Sequence, residues 1–325
     1  MLMKMTLFLA NMAFVAMTLS CNGRTVNTNS GSSDNGAAQQ FVEFVADSAY
    51  HFLQAQCEFG PRVPQTPAHT ACAQYIQSRL NQFCDTVHVQ QVNVTTFDGK
   101  NLTAQNMVGV INPDATQRIL LLAHWDCRPW ADKDEDPTKH KESVMGANDA
   151  ASGTAVILEL ARIMHENRPA IGVDLLLVDV EDWGDYDNED SWALGTQAWA
   201  RDFRSFMGDS YAPSFGILLD MVGAHGARFA PEYYSQYNAP SVVTLVWETA
   251  QDAGFGQFFV QDGGGGVTDD HVVVNKAGIP CIDIIDMRGD GFFDGWHTTH
   301  DTLDAIDPVT LKAVGQTLSN IIYNF

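Results

Sequence analysis

The chain has 325 residues, of which 45% are hydrophobic and 18% are charged. This composition supplies enough apolar material for one large core or two smaller ones. The formal net charge is -22 at pH 7, and so acidic a surface excludes nucleic acid and anionic membrane as binding partners. The charge has two interpretations, solubility alone or attraction of cationic ligands such as metal ions and peptide amino termini. Composition does not choose between them.

The N-terminus is typical of an exported protein. Residues 1–20 carry one Lys followed by an apolar stretch too short to span a membrane, so we predict a signal peptide. Cys21 follows small and apolar residues, as in a bacterial lipoprotein cleavage site, and residues 21–36 have the composition of a flexible tether. We therefore expect a periplasmic monomer whose only membrane contact is a lipid on Cys21. Simple signal cleavage is the alternative.

If Cys21 is lipidated, five of the six cysteines remain. Cys57, Cys72 and Cys84 lie close enough in the sequence for one disulfide in an oxidising compartment. The cysteines do not have the spacing of thiolate metal ligands. We therefore expect any bound metal to be held by oxygen and nitrogen atoms.

The first predicted elements are two helices and a β-hairpin. Residues 39–56 and 66–83 have apolar side chains at helical spacing. Residues 87–97 alternate between apolar and polar side chains, which predicts a strand, and residues 107–111 predict its neighbour. The turn between the two strands is expected at Gly99.

From residue 119 onward, short apolar runs alternate with amphipathic segments. The predicted strands are 119–123, 173–180, 215–219 and 282–285, and the predicted helices are 151–164, 192–206, 242–253 and 308–322. This alternation predicts a buried, mostly parallel central sheet with helices on both faces, an α/β/α sandwich. Since no linker or repeat interrupts the pattern, we expect residues 37–325 to form a single catalytic α/β domain.

Acidic and histidine residues stand just past the predicted strands, where functional groups of such sheets collect. They are His124, Asp126, Asp149, Glu181, Asp182, Asp220, Asp269, Asp270, His271 and His297. Any one of them alone could be a helix cap or an ordinary surface or core residue. Together they present carboxylates and imidazoles at four strand ends, which suits a catalytic zinc site. The adjacent Glu181 and Asp182 offer one carboxylate for proton transfer and one for the metal.

The order of these residues resembles the zinc aminopeptidase fold family, which includes the glutaminyl cyclases. The resemblance runs from about residue 37 to the C-terminus and rests on His124, Asn148-Asp149, Glu181-Asp182, Asp220 and His297. It implies that Asp149, Asp182 and His297 bind zinc and that Glu181 is the general acid/base. The family usually has Glu where this chain has Asp182. The shorter carboxylate also occurs in bacterial members on the cyclase side and preserves the metal-binding function.

Two positions distinguish the cyclases of the family from its aminopeptidases. His124 and Asp220 match residues that hold a second metal in the dinuclear aminopeptidases. In the cyclases the first residue of an Asp-Asp-His motif, here Asp269, shares a hydrogen bond with the equivalent of Asp220. Two such carboxylates would share a proton, and the site would then be mononuclear. If Asp220 instead binds a second metal, a peptidase is expected.

Aromatic residues beside the motifs favour the cyclase. Trp296 directly precedes His297, as in glutaminyl cyclases, and Phe292 lies four residues earlier. Trp183 and Trp192 are expected near the pocket, with core packing an equally good explanation for both. The position of Thr268 departs from the resemblance, because cyclases carry an amide side chain there.

The sequence therefore predicts cyclisation of the N-terminal Gln of peptides and proteins to pyroglutamate with release of ammonia, using one zinc ion per chain. In this hypothesis Glu181 transfers the proton, and Asp269, with Asp220 behind it, holds the amine and the developing ammonia. Trp296, Phe292 and Trp192 bind the substrate as the pocket wall. The alternatives are a dinuclear zinc aminopeptidase and a non-catalytic lipoprotein of the same fold.

Overall fold

The computed structural model describes residues 40–289 and 291–325. The predicted signal peptide, the lipid anchor at Cys21 and the tether lie outside these residues. Of the helices that are described, none is both long and apolar enough to cross a membrane.

The secondary structure follows the predicted alternation of strands and helices. The elements are α1 (Ala46–Glu58), α2 (Pro67–Phe83), β1 (Thr86–Thr95), β2 (Asn101–Ile111), β3 (Arg118–His124), α3 (Ala151–Glu166), β4 (Gly172–Val178), α4 (Leu194–Met207), β5 (Gly216–Asp220), α5 (Tyr233–Asn238), α6 (Pro240–Asp252), α7 (Asp270–Lys276), β6 (Cys281–Ile285), β7 (Met287–Arg288), β8 (Gly291–Phe292) and α8 (Pro308–Asn324). Each predicted helix and strand is present. The differences are a later start for α1, a longer β2 and four short elements, α5, α7, β7 and β8, that were not predicted.

Local sequence explains where several helices begin. The side chain of Thr66 accepts a hydrogen bond from the backbone N–H of His69, and Pro67 occupies the first turn of α2. Asp307 caps α8 in the same way, again followed by a proline. Both combinations satisfy an N–H group that the helix cannot bond internally.

The central sheet has six strands in the order β1-β2-β4-β3-β5-β6. Strands β4, β3, β5 and β6 run parallel, while β1 pairs antiparallel with β2 and β2 antiparallel with β4. The predicted mostly parallel sheet is therefore confirmed. Its antiparallel edge is formed by the hairpin near the N-terminus.

Alternate residues of the strands pack into two different apolar clusters. Leu121 packs with residues of α1, α2, α3, α6 and α8. Leu120 and Leu122 pack with Trp199 of α4 and Val274 of α7. Since successive side chains of a strand point to opposite faces, helices cover both faces of the sheet. All the parallel strands then end at one edge, and this edge positions the acidic and histidine residues.

The disulfide considered for the N-terminal cysteines is absent from the described part of the chain, where Cys57, Cys72 and Cys84 are free thiols. The Sγ atom of Cys84 packs against the backbone of β2 at Gly109. Burial raises the pKa of Cys57 to about 11 and that of Cys72 to about 12, so both thiols stay protonated and unreactive at neutral pH.

The close contact between α3 and β5 gives a testable prediction. A Cβ atom on Gly153 would lie 2.1 Å from the carbonyl oxygen of Leu219 and 3.0 Å from Ala123 Cβ. Gly153→Ala should therefore lower the free energy of unfolding by about 1–3 kcal/mol, because helix and strand must move apart. Chemical denaturation measures the loss. Gly291→Ala is the control, since a Cβ there meets nothing within 4 Å. Equal stability of the two variants would contradict the prediction.

Candidate active site

The three residues predicted to bind zinc converge at the carboxyl edge of the sheet. His297 Nε2 lies 3.1 Å from Asp182 Oδ1 and 3.5 Å from Asp149 Oδ2, and all three side chains are buried. Their candidate ligand atoms lie within 4.8 Å of one another. Among the residues described, none hydrogen-bonds to Asp182 Oδ2. Two carboxylates and one imidazole are a ligand set that suits zinc, and one carboxylate oxygen has no hydrogen-bond donor.

A second group of the same kind shares Asp149 with the first. His124 Nε2 lies 2.9 Å from Asp149 Oδ1 and 3.2 Å from Asp220 Oδ1. The two oxygens of Asp149 thus face different histidines. Burial alone would raise the pKa of Asp149, but the hydrogen bonds from His124 and His297 hold that pKa below its usual value. Asp149 is therefore ionised and able to face a cation on either side.

The hydrogen bond between Asp220 and Asp269, on which the choice between cyclase and peptidase rests, stays a prediction. Asp220 is paired with His124, and Asp269 accepts a hydrogen bond from the backbone N–H of Asp270 at the start of α7. Both carboxyl groups line the same cavity. The helix-capping position of Asp269 and the imidazole beside Asp220 give each carboxyl group a different partner.

Two other carboxylates fix the backbone of the site. Asp126 accepts hydrogen bonds from the N–H groups of Glu181 and Asp182, at 3.1 and 3.3 Å. Asp301 accepts from the N–H groups of Asn148 and Asp149, at 2.7 and 3.0 Å. Asp126 stood in the sequence motif after β3, whereas Asp301 was not predicted. It follows His297 by four residues, and no sequence pattern distinguishes it from a surface acid.

The backbone is strained at three positions of the site. Val180, Met221 and His297 have φ angles of 54°, 51° and 54°, a region that residues with a side chain rarely occupy. Val180 directly precedes Glu181, and Met221 directly follows Asp220. Strain of this kind persists only where the surrounding structure fixes it, and it concentrates at functional sites. The strained residues aim the polar side chains of three separate elements into one cavity.

Glu181, the predicted proton carrier, is 7% exposed and lines the cavity beside the predicted zinc ligands. Burial raises its pKa well above the ordinary value, and the nearby carboxylates of Asp269 and Asp182 raise it further, against the opposing effect of His124. A carboxyl group in this position can exchange a proton near neutral pH.

The cavity above these groups has a volume of about 290 Å³ and an aromatic wall. The Trp296 ring stacks on His297 with centroids 4.0 Å apart, and Phe292 lies 4.6 Å from Trp296. Trp192 lies parallel to His297 at 6.1 Å. The three residues predicted to bind substrate are thus brought together, and Thr268 also lines the cavity. Trp183 does not line it and packs instead against Trp130.

Two residues that were not predicted from the sequence contact the predicted zinc ligands. Tyr186 Oη lies 2.6 Å from His297 Nδ1. Arg128 is 2% exposed and donates to the backbone oxygen of Asp182 at 3.1 Å. Its guanidinium also lies 4.9 Å from the Trp192 ring centroid and 5.0 Å from that of Tyr186. Both residues stand in charged stretches that are typical of solvated loops, so no sequence pattern indicates these roles.

Residues 106–322 match the sequence profile of peptidase family M28, and the chain belongs to this family. Within the family it resembles bacterial glutaminyl cyclases. It is 42% identical to a structure of Bacteroides thetaiotaomicron glutaminyl cyclase bound to N-acetylhistamine, with a TM-score of 0.85, over 88% of this chain and 100% of that one. It is 43% identical to a leucine aminopeptidase precursor from the same organism, with a TM-score of 0.84, over 88% and 99% of the chains.

Two curated relatives carry the same two activities in their names. Glutaminyl-peptide cyclotransferase of Bos taurus is 23% identical over 81% of this chain and 78% of its own length. Aminopeptidase YwaD of Bacillus subtilis is 25% identical over 69% of this chain, and the match spans 45% of that protein. The family is therefore shown, and its named members divide between cyclases and peptidases.

The contact between Tyr186 and His297 predicts an effect on metal affinity. With zinc on Nε2, His297 Nδ1 would carry the proton and donate it to Tyr186 Oη, which lies 2.6 Å away. Tyr186→Phe removes the acceptor that orients the imidazole, so zinc affinity should fall by about tenfold or more. Competition with a chromogenic chelator measures this. Tyr237→Phe, at a tyrosine that is 75% exposed, is the control. Unchanged affinity in Tyr186→Phe would show that the contact does not orient the ligand.

Proposed function

We propose that this chain cyclises the N-terminal Gln of peptides and proteins to pyroglutamate and releases ammonia. The main observation in support of the proposal is a small cavity with an aromatic wall. Glu181 and the predicted zinc ligands line this cavity. Ring closure is intramolecular and needs orientation and proton transfer, while a competing water molecule would hydrolyse the side chain instead. A cavity of about 290 Å³ walled by Trp296, Phe292 and Trp192 suits one Gln residue and presents aromatic rings on one side. The likeness to glutaminyl cyclase structures supports the same activity.

The cofactor of this proposal is one zinc ion on Asp149, Asp182 and His297. When bound there, zinc would supply Lewis-acid polarisation of the γ-carbonyl of the substrate. The oxygen and nitrogen donors, and the orphaned Oδ2 of Asp182, fit this ion.

Proton transfer is assigned to Glu181. The α-amine nitrogen of the substrate bonds to the γ-carbonyl carbon, and Glu181 accepts the proton that this nitrogen loses. Glu181 then delivers the proton to the amide nitrogen, so that the C–N bond of the side chain breaks and ammonia leaves. The raised pKa of Glu181 makes it a stronger base toward the amine than an ordinary carboxylate. The negative field of Asp269, which lines the same cavity, holds the amine and the developing ammonia.

A dinuclear aminopeptidase is the second candidate, and a specific observation favours it. His124, Asp149 and Asp220 form a second buried group whose ligand atoms lie within 4.8 Å of one another. Within this group Asp220 Oδ1 lies 3.2 Å from His124 Nε2. The named aminopeptidase relatives agree with this alternative. Metal count and reaction product separate the two functions.

The first test concerns Glu181. Glu181→Gln keeps the size of the side chain but cannot accept a proton. Ammonia release from a Gln-peptide should therefore fall by about 10²–10⁴-fold while zinc stays bound. A coupled ammonia assay and elemental analysis measure the two quantities. Glu166→Gln on α3, whose side chain is 57% exposed, serves as the matched control. A near wild-type rate in Glu181→Gln would refute its role.

The second test counts the metal ions. After chelation, addition of zinc to the apoprotein should restore full cyclisation at one equivalent per chain, and Asp220→Asn should bind the same single ion. An aminopeptidase would need two equivalents, would release free amino acid from a Leu-peptide, and would lose one of its two ions in Asp220→Asn. Isothermal titration with parallel product analysis distinguishes these outcomes.

A further inference from the structure

A carboxylic acid stands in the middle of an otherwise apolar strand. Asp283 lies between Ile282 and Ile284 in β6 and is fully buried. In the sheet it is paired with Leu218 of β5, which packs in the apolar layer beneath α4 and α7. An apolar side chain would be the stable choice at this position, because burying a carboxyl group without a partner costs several kcal/mol. The presence of Asp283 therefore requires another explanation.

The side chain of Asp283 faces acids and one histidine. Ligand atoms of Asp269, His271 and Asp283 lie within 4.8 Å of one another. His271 Nδ1 is 3.8 Å from Asp283 Oδ2, beyond hydrogen-bond length, and the other ring nitrogen of His271 bonds to Glu232 at 3.0 Å. The remaining charged groups that act on Asp283 are Asp220 and Glu232, both negative.

The buried carboxyl groups of Asp269 and Asp283 need one proton between them to form a hydrogen bond. Across the described residues, both oxygens of Asp283 and Oδ2 of Asp269 lack a donor. Asp269 Oδ1 already accepts from the N–H of Asp270, and Asp269 also opens to the catalytic cavity. Asp283 has neither a donor nor an opening. The negative charge therefore resides on Asp269, and a proton on one oxygen of Asp283 satisfies that oxygen and Oδ2 of Asp269.

We propose that Asp283 is a positioning residue that donates a hydrogen bond to the carboxylate of Asp269 and holds that carboxylate toward the substrate amine. The inference rests on the proposed function. It assigns to Asp269 a carboxyl partner on β6. Burial raises the pKa of Asp283 well above its usual value, with the charge of Asp269 adding to the effect, in agreement with a neutral acid at this position.

Two substitutions at one position separate hydrogen bonding from packing. Asp283→Asn retains a donor of the same size, so it should keep most of the kcat/KM for a Gln-peptide. Asp283→Leu removes the donor while filling the buried space, and kcat/KM should fall by about ten- to a hundredfold. Cys281→Ala, a change on the same face of β6 without a polar contact to the site, controls for disturbance of the strand. Thermal unfolding of each variant checks that it folds.

A double-mutant cycle shows whether the effect passes through Asp269. Asp283→Leu should cost little additional activity in an Asp269→Asn background, because the group that it positions is already altered. A purely structural role would lower activity by the same factor in both backgrounds, and that result would overturn the proposal. Wild-type kcat/KM in Asp283→Leu would overturn it as well.

An infrared measurement tests the proton without any assay. The difference spectrum between wild type and Asp283→Asn should show the loss of one carboxylic-acid C=O band, and its absence would overturn the proposal. This readout also distinguishes the two levels of inference. If the wild-type protein does not cyclise Gln-peptides, the proposed function fails, whereas the infrared band still decides the state of Asp283.

Discussion

The contact of Asp149 with two histidines organises the whole site. One of its oxygens faces His124 and the other faces His297, so a single carboxylate links the end of β3 to the loop before α8. For this to work the residue must stay ionised in a buried position, which imidazoles and cations allow and an apolar environment would not. The hydrogen bonds from the backbone of Asn148 and Asp149 to Asp301 then fix its direction. The other groups of the site are placed around this carboxylate.

So many acids at one edge of a sheet require compensation. The structure supplies it in three ways: imidazoles beside Asp149 and Asp220, backbone N–H groups for Asp126 and Asp301, and the guanidinium of Arg128 beside Asp182. Where these are lacking, a metal ion or a proton is the remaining means. A metal ion would compensate the orphaned oxygen of Asp182, and a proton would compensate the facing carboxyl groups of Asp269 and Asp283.

Sequence reasoning succeeded where function depends on position along a strand. Parallel strands end at one edge, so His124, Glu181 and Asp220 could be placed together from the apolar runs that precede them. The mostly parallel sheet followed from the same runs. Helices α5 and α7 were missed because six or seven residues are too few to show a helical period. The roles of the metal-binding and catalytic residues stay predictions, although the structure brings their side chains together.

Contacts between side chains on distant elements could not be predicted in this way. The partner of Asp220 was left open between Asp269 and a second metal site shared with His124, and in the structure Asp220 Oδ1 lies 3.2 Å from His124 Nε2. Tyr186 touches His297 across 111 residues of sequence, and no pattern connects the two. Asp283 was hidden inside a run that correctly predicted a strand, because a single acid does not change the apolar character of the segment. Such residues are specified by the tertiary structure alone.

Arg128 joins two parts of the site that could otherwise vary separately. Its guanidinium binds the backbone of Asp182 on one side and lies against the rings of Trp192 and Tyr186 on the other. A substitution that reshapes the aromatic wall would therefore also shift the backbone of Asp182. The shape of the cavity and the geometry of a predicted metal ligand are thus coupled through one arginine side chain, and a change in the first alters the second unless this contact is rebuilt as well.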